Sequence, residues 1–192
     1  MYYIIDNFLS DSHYKTILDY VLTSKYTFKN HTTHPENITK DTFDYQFIRI
    51  ITYLTEENTY RGVPRDELNK IMPLWDKLQL NKILRCKINC NPNSDKNNEL
   101  GWHRDVEDGS EGTWFSCILY FTTCDGHTLL KTNDKTVKVD SVANRALIFP
   151  SIWEHTGCSP TDVKARFIIN TIFEIDPKEK KVVDELVLFS GA

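Results

Sequence analysis

The sequence has no surplus of positive charge, no long apolar run and no closely paired cysteines. Its 23 lysines and arginines are outnumbered by 27 aspartates and glutamates, giving a net charge of −4 at pH 7. A mildly acidic chain is a poor non-specific polyanion binder, which weighs against a nucleic-acid partner, although one local basic groove would escape such a count. No apolar run reaches the roughly 20 residues that a membrane helix needs, so no membrane association is expected. The five cysteines, Cys86, Cys90, Cys117, Cys124 and Cys158, are odd in number and never in C-x-x-C spacing. That argues against a disulfide framework or a structural zinc site, and for free thiols in a reducing compartment. Residues 1–6 have neither a basic stretch nor an apolar core of signal-peptide length, so the expectation is a soluble cytoplasmic protein.

What is present suits a globular domain. The 192 residues are 40% hydrophobic and 12% aromatic, enough for a core and too apolar for disorder. There is no internal repeat or obvious linker, so residues 1–192 are expected to form a single domain. Residues 2–5 suit a short strand. Ser10 or Asp11 can cap a helix carrying Tyr14, Ile17, Leu18, Val21 and Leu22 at helical spacing. A second helical pattern starts at Pro64 and runs through Leu68, Ile71, Met72, Trp75 and Leu78, with Pro73 expected to kink or split it. Residues 27–62 read as polar and irregular apart from a strand near 47–54. From residue 83 short β-type runs alternate with turns: 83–90, 101–105, 113–121, 127–131, 136–139, 146–149, 154–157 and 165–174. Asn-Pro-Asn at 91–93, Asp-Gly at 108–109 and 125–126, and Ser-Pro at 159–160 mark the turns. Many short strands at this spacing predict a sandwich or barrel, mainly β with flanking α-helices: residues 1–82 would supply a strand, helices and a candidate lid, and 83–174 the core.

The informative cluster is His103-Arg104-Asp105 with His155, 50 positions further on. If 101–105 is a strand, His103 and Asp105 point to one face, and His155 from another strand completes a triangle. Two imidazoles and one carboxylate leave the opposite face of an octahedron open, the arrangement suited to iron(II) that must also bind a co-substrate and oxygen. H-x-D alone is a weak signal and usually marks a surface pair. Its company strengthens it. Arg166 begins an otherwise apolar strand, and a buried guanidinium calls for a bidentate anion such as a dicarboxylate; the alternative is an arginine snorkelling from a strand end. Asn170 shares a face with Arg166 by the period of two, and needs a partner in a cofactor, in backbone or in water.

At this point the sequence resembles the 2-oxoglutarate/iron(II) oxygenase superfamily, in particular its prolyl-hydroxylase-like branch and small phage-encoded members. The resemblance spans about residues 83–174. It rests on Trp102-His103-Arg104-Asp105, Ser116-Cys117-Ile118-Leu119-Tyr120-Phe121, Arg145-Ala146-Leu147-Ile148-Phe149-Pro150, His155-Thr156-Gly157 and Ala165-Arg166-Phe167. It implies a double-stranded β-helix (jelly roll), with Fe(II), the co-substrate 2-oxoglutarate and O2, and ascorbate as an optional addition. His103, Asp105 and His155 match the ligand triad. Arg166 matches the base that pairs with the far carboxylate, and Tyr120 a tyrosine that often bonds the same group; the alternative for Tyr120 is a core tyrosine. Thr128 falls where related enzymes place a small or hydroxylated residue after a glycine pair, here Gly126-His127. Asn89 and Asn91 fall where some relatives hold the keto-acid end, though Asn91 precedes Pro92 and can equally begin a turn.

The remaining features read as structural. His13, His31, His34 and His127 have no ligand set nearby, Arg104 points away from the metal, and Trp102 and Trp153 are expected to pack between sheets. Segment 27–62, with Phe28, Phe43, Tyr45 and Phe47 and Tyr26 just before it, is the candidate lid over a substrate. Segment 176–192 reads as a final helix or strand of open role. The expected activity is hydroxylation of an unidentified substrate, a peptide or a small molecule, with a prolyl residue suggested by the resemblance. The alternatives are an oxygenase acting on a small metabolite or nucleobase, and a non-catalytic jelly-roll binding module.

Overall fold

The computed structural model describes residues 1–29, 45–80, 82–107 and 114–174. Phe43, His31, His34, the Asp-Gly at 108–109 and the segment 176–192 lie outside them.

Helix α1 spans Asp11–Thr23, and the Ser10 hydroxyl accepts a hydrogen bond from the His13 amide at 3.4 Å. Ile17, Tyr20 and Val21 form its buried face. Helix α2 spans Arg65–Leu78, entered from Pro64 and ended by Gln79 in the left-handed conformation at φ 48°. The expected split at Pro73 does not occur. Ile71 before it and Leu74 and Leu78 after it are all buried, so packing on both sides offsets the one intrahelical hydrogen bond that proline removes.

The strands are β1 (Tyr3–Ile5), β2 (Thr27–Lys29), β3 (Gln46–Leu54), β4 (Tyr60–Gly62), β5 (Lys82–Pro92), β6 (Trp114–Tyr120), β7 (Cys124–Lys131), β8 (Thr136–Ser141), β9 (Ala146–Pro150), β10 (His155–Gly157) and β11 (Ala165–Glu174). The larger sheet runs β1-β9-β6-β11-β5-β3-β2, with β4 added on β3; the smaller runs β10-β7-β8. Every pairing is antiparallel. The two sheets form a sandwich, as the spacing of the short strands predicts, with the jelly-roll form that the resemblance implies.

Both faces of the larger sheet are covered, which explains why β6 and β11 read as nearly continuous apolar runs rather than alternating ones. Cys117, Leu119, Ile148 and Ile169 pack with Ile17, Val21, Ile71 and Leu74 of the helices. On the other face Ile118, Tyr120, Leu147, Phe149 and Ile168 meet Leu130 and Val139 of the smaller sheet. The pocket described below opens between the two sheets. Among the described residues, no helix is long and apolar enough to cross a membrane.

Two expectations need correction. Segment 27–62 is not irregular in its described part, since β2 and β4 both pair with β3. These are three-residue edge strands with exposed side chains, too short for alternation to reveal. Residues 101–105 are not a strand either: only His103 pairs, in an isolated bridge to His155, and Glu99 pairs with Cys158. This segment borders β10 of the smaller sheet.

Candidate functional site

His103 and Asp105 come together without a strand to align them. The bridge between His103 and His155 is closed by two backbone hydrogen bonds of 3.0 and 2.9 Å, and the Asp105 amide donates to the Ser151 carbonyl at 3.0 Å. These contacts fix both ligands against β10. One donor atom from each of His103, Asp105 and His155 lies within 4.8 Å of the others. The imidazole Nδ1 of His103 is 3.1 Å from the Gly101 carbonyl, and that of His155 is 3.2 Å from the Trp153 carbonyl. A carbonyl only accepts, so Nδ1 carries the proton in each neutral ring and Nε2 presents a lone pair. The donor set therefore suits a divalent cation, and two imidazoles with one carboxylate are residue types that would suit iron(II).

Asp105 has a fully buried side chain and is held from three sides. Ser116 donates to Oδ2 at 2.7 Å, Asn170 at 3.0 Å, and Arg85 Nη2 lies 3.0 Å from Oδ1. Burial alone would raise its pKa; the charges of His155, His103, Arg85 and Lys87 outweigh that and hold the carboxyl below its usual range. Burial, and after it the neighbouring His155, pushes His103 down to about 4. At neutral pH the site thus offers an ionised carboxylate beside a neutral imidazole at His103, and no proton must leave these two before a metal enters.

Arg166 is the largest fully buried side chain among the described residues. Its Nη2 donates to Thr128 Oγ1 at 2.9 Å, and Tyr120 donates to the same oxygen at 2.9 Å. The guanidinium carbon lies 5.2 Å from the Tyr120 ring centroid. Nε and Nη1 have no hydrogen-bond partner. A buried guanidinium with two donors unspent is costly unless an anion completes it. The space for that side chain comes from two glycines. A Cβ on Gly126 would lie 3.0 Å from Arg166 Cδ, and one on Gly157 would lie 3.3 Å from Nη1.

Arg166 lines one pocket together with His103, His155, Asn89, Asn91, Thr128 and Asn170. It encloses about 480 Å³ of space between atoms, part of which is continuous with solvent. The expected residues are thus largely together, with differences of detail. Asn170 faces inward, but its amide serves Asp105 and so positions a metal ligand. Tyr120 stands behind Thr128, its hydroxyl already engaged. Asn91 is buried and belongs to β5 rather than to a turn. Asn89 Oδ1 has no partner. Trp153 packs against the core between the sheets, as expected. Trp102 does not: its Nε1 donates to Glu99 at 2.6 Å and Lys131 Nζ sits 4.5 Å from its ring centroid, on the exterior.

Sequence reasoning missed Ser116, Arg85, Lys87, Gly157 and the role of Gly126. The period-two rule that selected Asn89 and Asn91 selects Lys87 and Arg85 when carried two and four residues back along β5.

Residues 86–174 match the model of the 2OG-Fe(II) oxygenase superfamily. No curated protein sequence matches the chain. Among solved structures, the chain is similar to a prolyl hydroxylase of Trichoplax adhaerens in complex with a hypoxia inducible factor oxygen degradation domain peptide fragment: 19% identity, TM-score 0.65, covering 94% of this chain and 86% of that one. It is also similar to an oxidoreductase of the 2OG-Fe(II) oxygenase family from Burkholderia pseudomallei, at 11% identity and TM-score 0.67, covering 90% of this chain and 85% of that one. A Pseudomonas putida prolyl-4-hydroxylase aligns at 13% identity and TM-score 0.63, covering 91% of this chain and 92% of that one. At such identities the structural likeness concerns the fold.

Proposed function

We propose that the chain, whose residues 86–174 match the model of the 2OG-Fe(II) oxygenase superfamily, is a 2-oxoglutarate-dependent iron(II) hydroxylase in which His103, Asp105 and His155 hold the metal and Arg166 holds the far carboxylate of 2-oxoglutarate. The observation that supports this reading is one pocket lined both by the two histidines of the His103–Asp105–His155 cluster and by a buried guanidinium that has two unspent donors. A binding module has no need for an open metal face beside an anion seat.

When bound, iron(II) supplies the redox chemistry that converts dioxygen and 2-oxoglutarate to carbon dioxide and succinate and places one oxygen atom on a substrate carbon. The protein's part is geometry. Thr128 fixes the Arg166 guanidinium, and Tyr120 fixes Thr128. Arg166 then offers its unpaired Nη1, with the second hydrogen of Nη2 beside it, to one carboxylate. Ser116, Asn170 and Arg85 hold the Asp105 carboxylate in its ligating orientation. Asn89 and Asn91 line the same pocket and would supply further polar contacts to the co-substrate. The burial of Arg166, Asp105 and Thr128 keeps water away from the co-substrate seat.

The first substrate to test is a prolyl residue. Two of the similar structures are prolyl hydroxylases, and one of these is bound to a peptide fragment. The same reading takes residues 1–192 as a single cytoplasmic domain, supported by the pairing of β1 with β9 and of β3 with β5 across the two halves, and by five free thiols. The test is aerobic turnover with iron(II) and 2-oxoglutarate against proline-containing peptides, free amino acids and oligonucleotides, following succinate and the mass of each candidate. The reading expects a gain of one oxygen atom matched by one succinate. Succinate formation that no member of any class stimulates argues against the prolyl assignment, and no succinate at all argues against the site assignment.

A further inference from the structure

The pocket holds one cation more than its co-substrate needs. Lys87 projects from β5 into it, beside Asn89 and Asn91 and opposite His103 and His155. Its Cα partners are Asn170 on one side and Ile50 on the other. Among the described residues it makes no hydrogen bond or ion pair. It keeps some access to solvent through the pocket, yet its surroundings strip much of its hydration: burial, and after it the charge of Arg85, pushes its pKa down to about 7.

Its place along the pocket matters. Arg166 is in register with Asn91, and Lys87 lies four residues further down β5, roughly 13 Å along the strand. The neighbour of Lys87 on β11 is Asn170, whose amide holds Asp105. Lys87 therefore sits at the metal end of the pocket, remote from the seat of the far carboxylate.

Charge counting completes the case. The two positive charges of iron(II) and the one of Arg166 are balanced by Asp105 and the two carboxylates of 2-oxoglutarate. Arg85 pairs with Asp105 and is a third exposed, with 35% of its side chain accessible, so water screens it. Lys87 feels the charge of Asp105 as well, but that one carboxylate already pairs with Arg85 and would also serve the metal. Arg85 and Lys87 are two residues apart on one face of β5 and repel each other, and a partly buried cation without a counter-ion is costly. A substrate anion placed near the metal would relieve both.

We propose that Lys87 is a specificity-determining residue that binds a carboxylate of the primary substrate, so that the enzyme acts on carboxylate-bearing molecules. This rests on the oxygenase reading above.

The test uses protein loaded anaerobically with manganese(II) and 2-oxoglutarate, titrated calorimetrically with N-acetyl amino acids and with their neutral amides. Wild type should bind at least one carboxylate about tenfold or more tightly than its amide, the margin of a buried charge pair. Lys87→Met should abolish that preference, and Lys87→Arg should retain it. Lys87→Met removes a poorly compensated charge and so is expected to fold; its melting temperature checks this, and Lys87→Arg carries the test if it does not. No carboxylate preference for any pair in wild type, or a preference surviving in Lys87→Met, overturns the proposal. So does a large loss of 2-oxoglutarate affinity in Lys87→Met, which would assign Lys87 to the co-substrate. The visible band of the anaerobic iron(II)–2-oxoglutarate complex separates the two levels: its absence from wild type defeats the oxygenase site itself, whereas its presence without carboxylate preference defeats only the role of Lys87.

Discussion

Replacing Arg166 with methionine should move ligand affinity and metal-free stability in different directions. The guanidinium spends one donor on Thr128 and leaves Nε and Nη1 unpaired in the interior. Two charge-assisted hydrogen bonds to a carboxylate, at about 1.5–3 kcal/mol each, would disappear with it. Affinity for 2-oxoglutarate should then fall by more than about a hundredfold. Without co-substrate the balance differs. Methionine removes a buried cation that nothing neutralises, and Thr128 still receives the Tyr120 hydroxyl, so the variant should be as stable as wild type or more so. Thermal unfolding with manganese(II) reads both effects. At a co-substrate concentration about 100 times the wild-type Kd, wild type gains about 2.7 kcal/mol, a Tm rise of roughly 5–10 °C for a chain of this size. The variant, at or below its own Kd, gains at most about 0.4 kcal/mol. An undiminished rise in Arg166→Met would refute the assignment. A variant destabilised by several degrees without ligand would show that the guanidinium is already satisfied in the fold.

Three further outcomes follow from the same contacts. Gly157→Ala puts a methyl 3.3 Å from Arg166 Nη1, so its 2-oxoglutarate Kd should rise about tenfold, the effect of a displaced anchor worth roughly 1.4 kcal/mol; unchanged affinity by calorimetry would show that the guanidinium has room to move. Asn144 is in the left-handed conformation at φ 61° and its side chain bonds both the amide and the carbonyl of Leu9, so Asn144→Ala should lose about 2–4 kcal/mol of stability, against which urea midpoints within half a molar of wild type would count. For metal-free protein, His103 takes up its proton only near pH 4 when folded, whereas an unfolded histidine does so near pH 6.5. The unfolded state thus binds the extra proton first, and stability should fall as pH drops from about 6.5 towards about 4; His103→Gln should flatten that slope, and an identical slope in the variant would assign it elsewhere.

The site was legible in the sequence for reasons that were only partly right. His103, Asp105 and His155 converge, yet a shared strand is not the cause: one bridge to His155 and the bond from the Asp105 amide to Ser151 align them. Those are tertiary contacts between segments about 50 residues apart, which no local pattern encodes. Arg166 stood out because a lone charge opens an apolar run, and burial confirms that it is inside. Asn170 was placed on the correct face by the period of two, but its partner, Asp105, lies 65 residues away and was invisible. Lys87 and Arg85 follow from the same rule, two and four residues before Asn89 on one face of β5. In the fold, β5 and β11 were legible because each is ten residues or longer, while β2 and β4 exist only through pairing with β3. Pro73 does not split the helix, because helix propensity is local and the packing of Ile71 and Leu74 is not.

The central claim is that His103, Asp105 and His155 hold an iron(II) that 2-oxoglutarate chelates while Arg166 grips its far end. Its most direct test is the visible charge-transfer absorption of the anaerobic protein on adding iron(II) and then 2-oxoglutarate. The account predicts a band in wild type that requires both additions and is lost in His103→Ala. A folded wild type that shows no band at saturating iron and co-substrate, or a band that persists in His103→Ala, would contradict it.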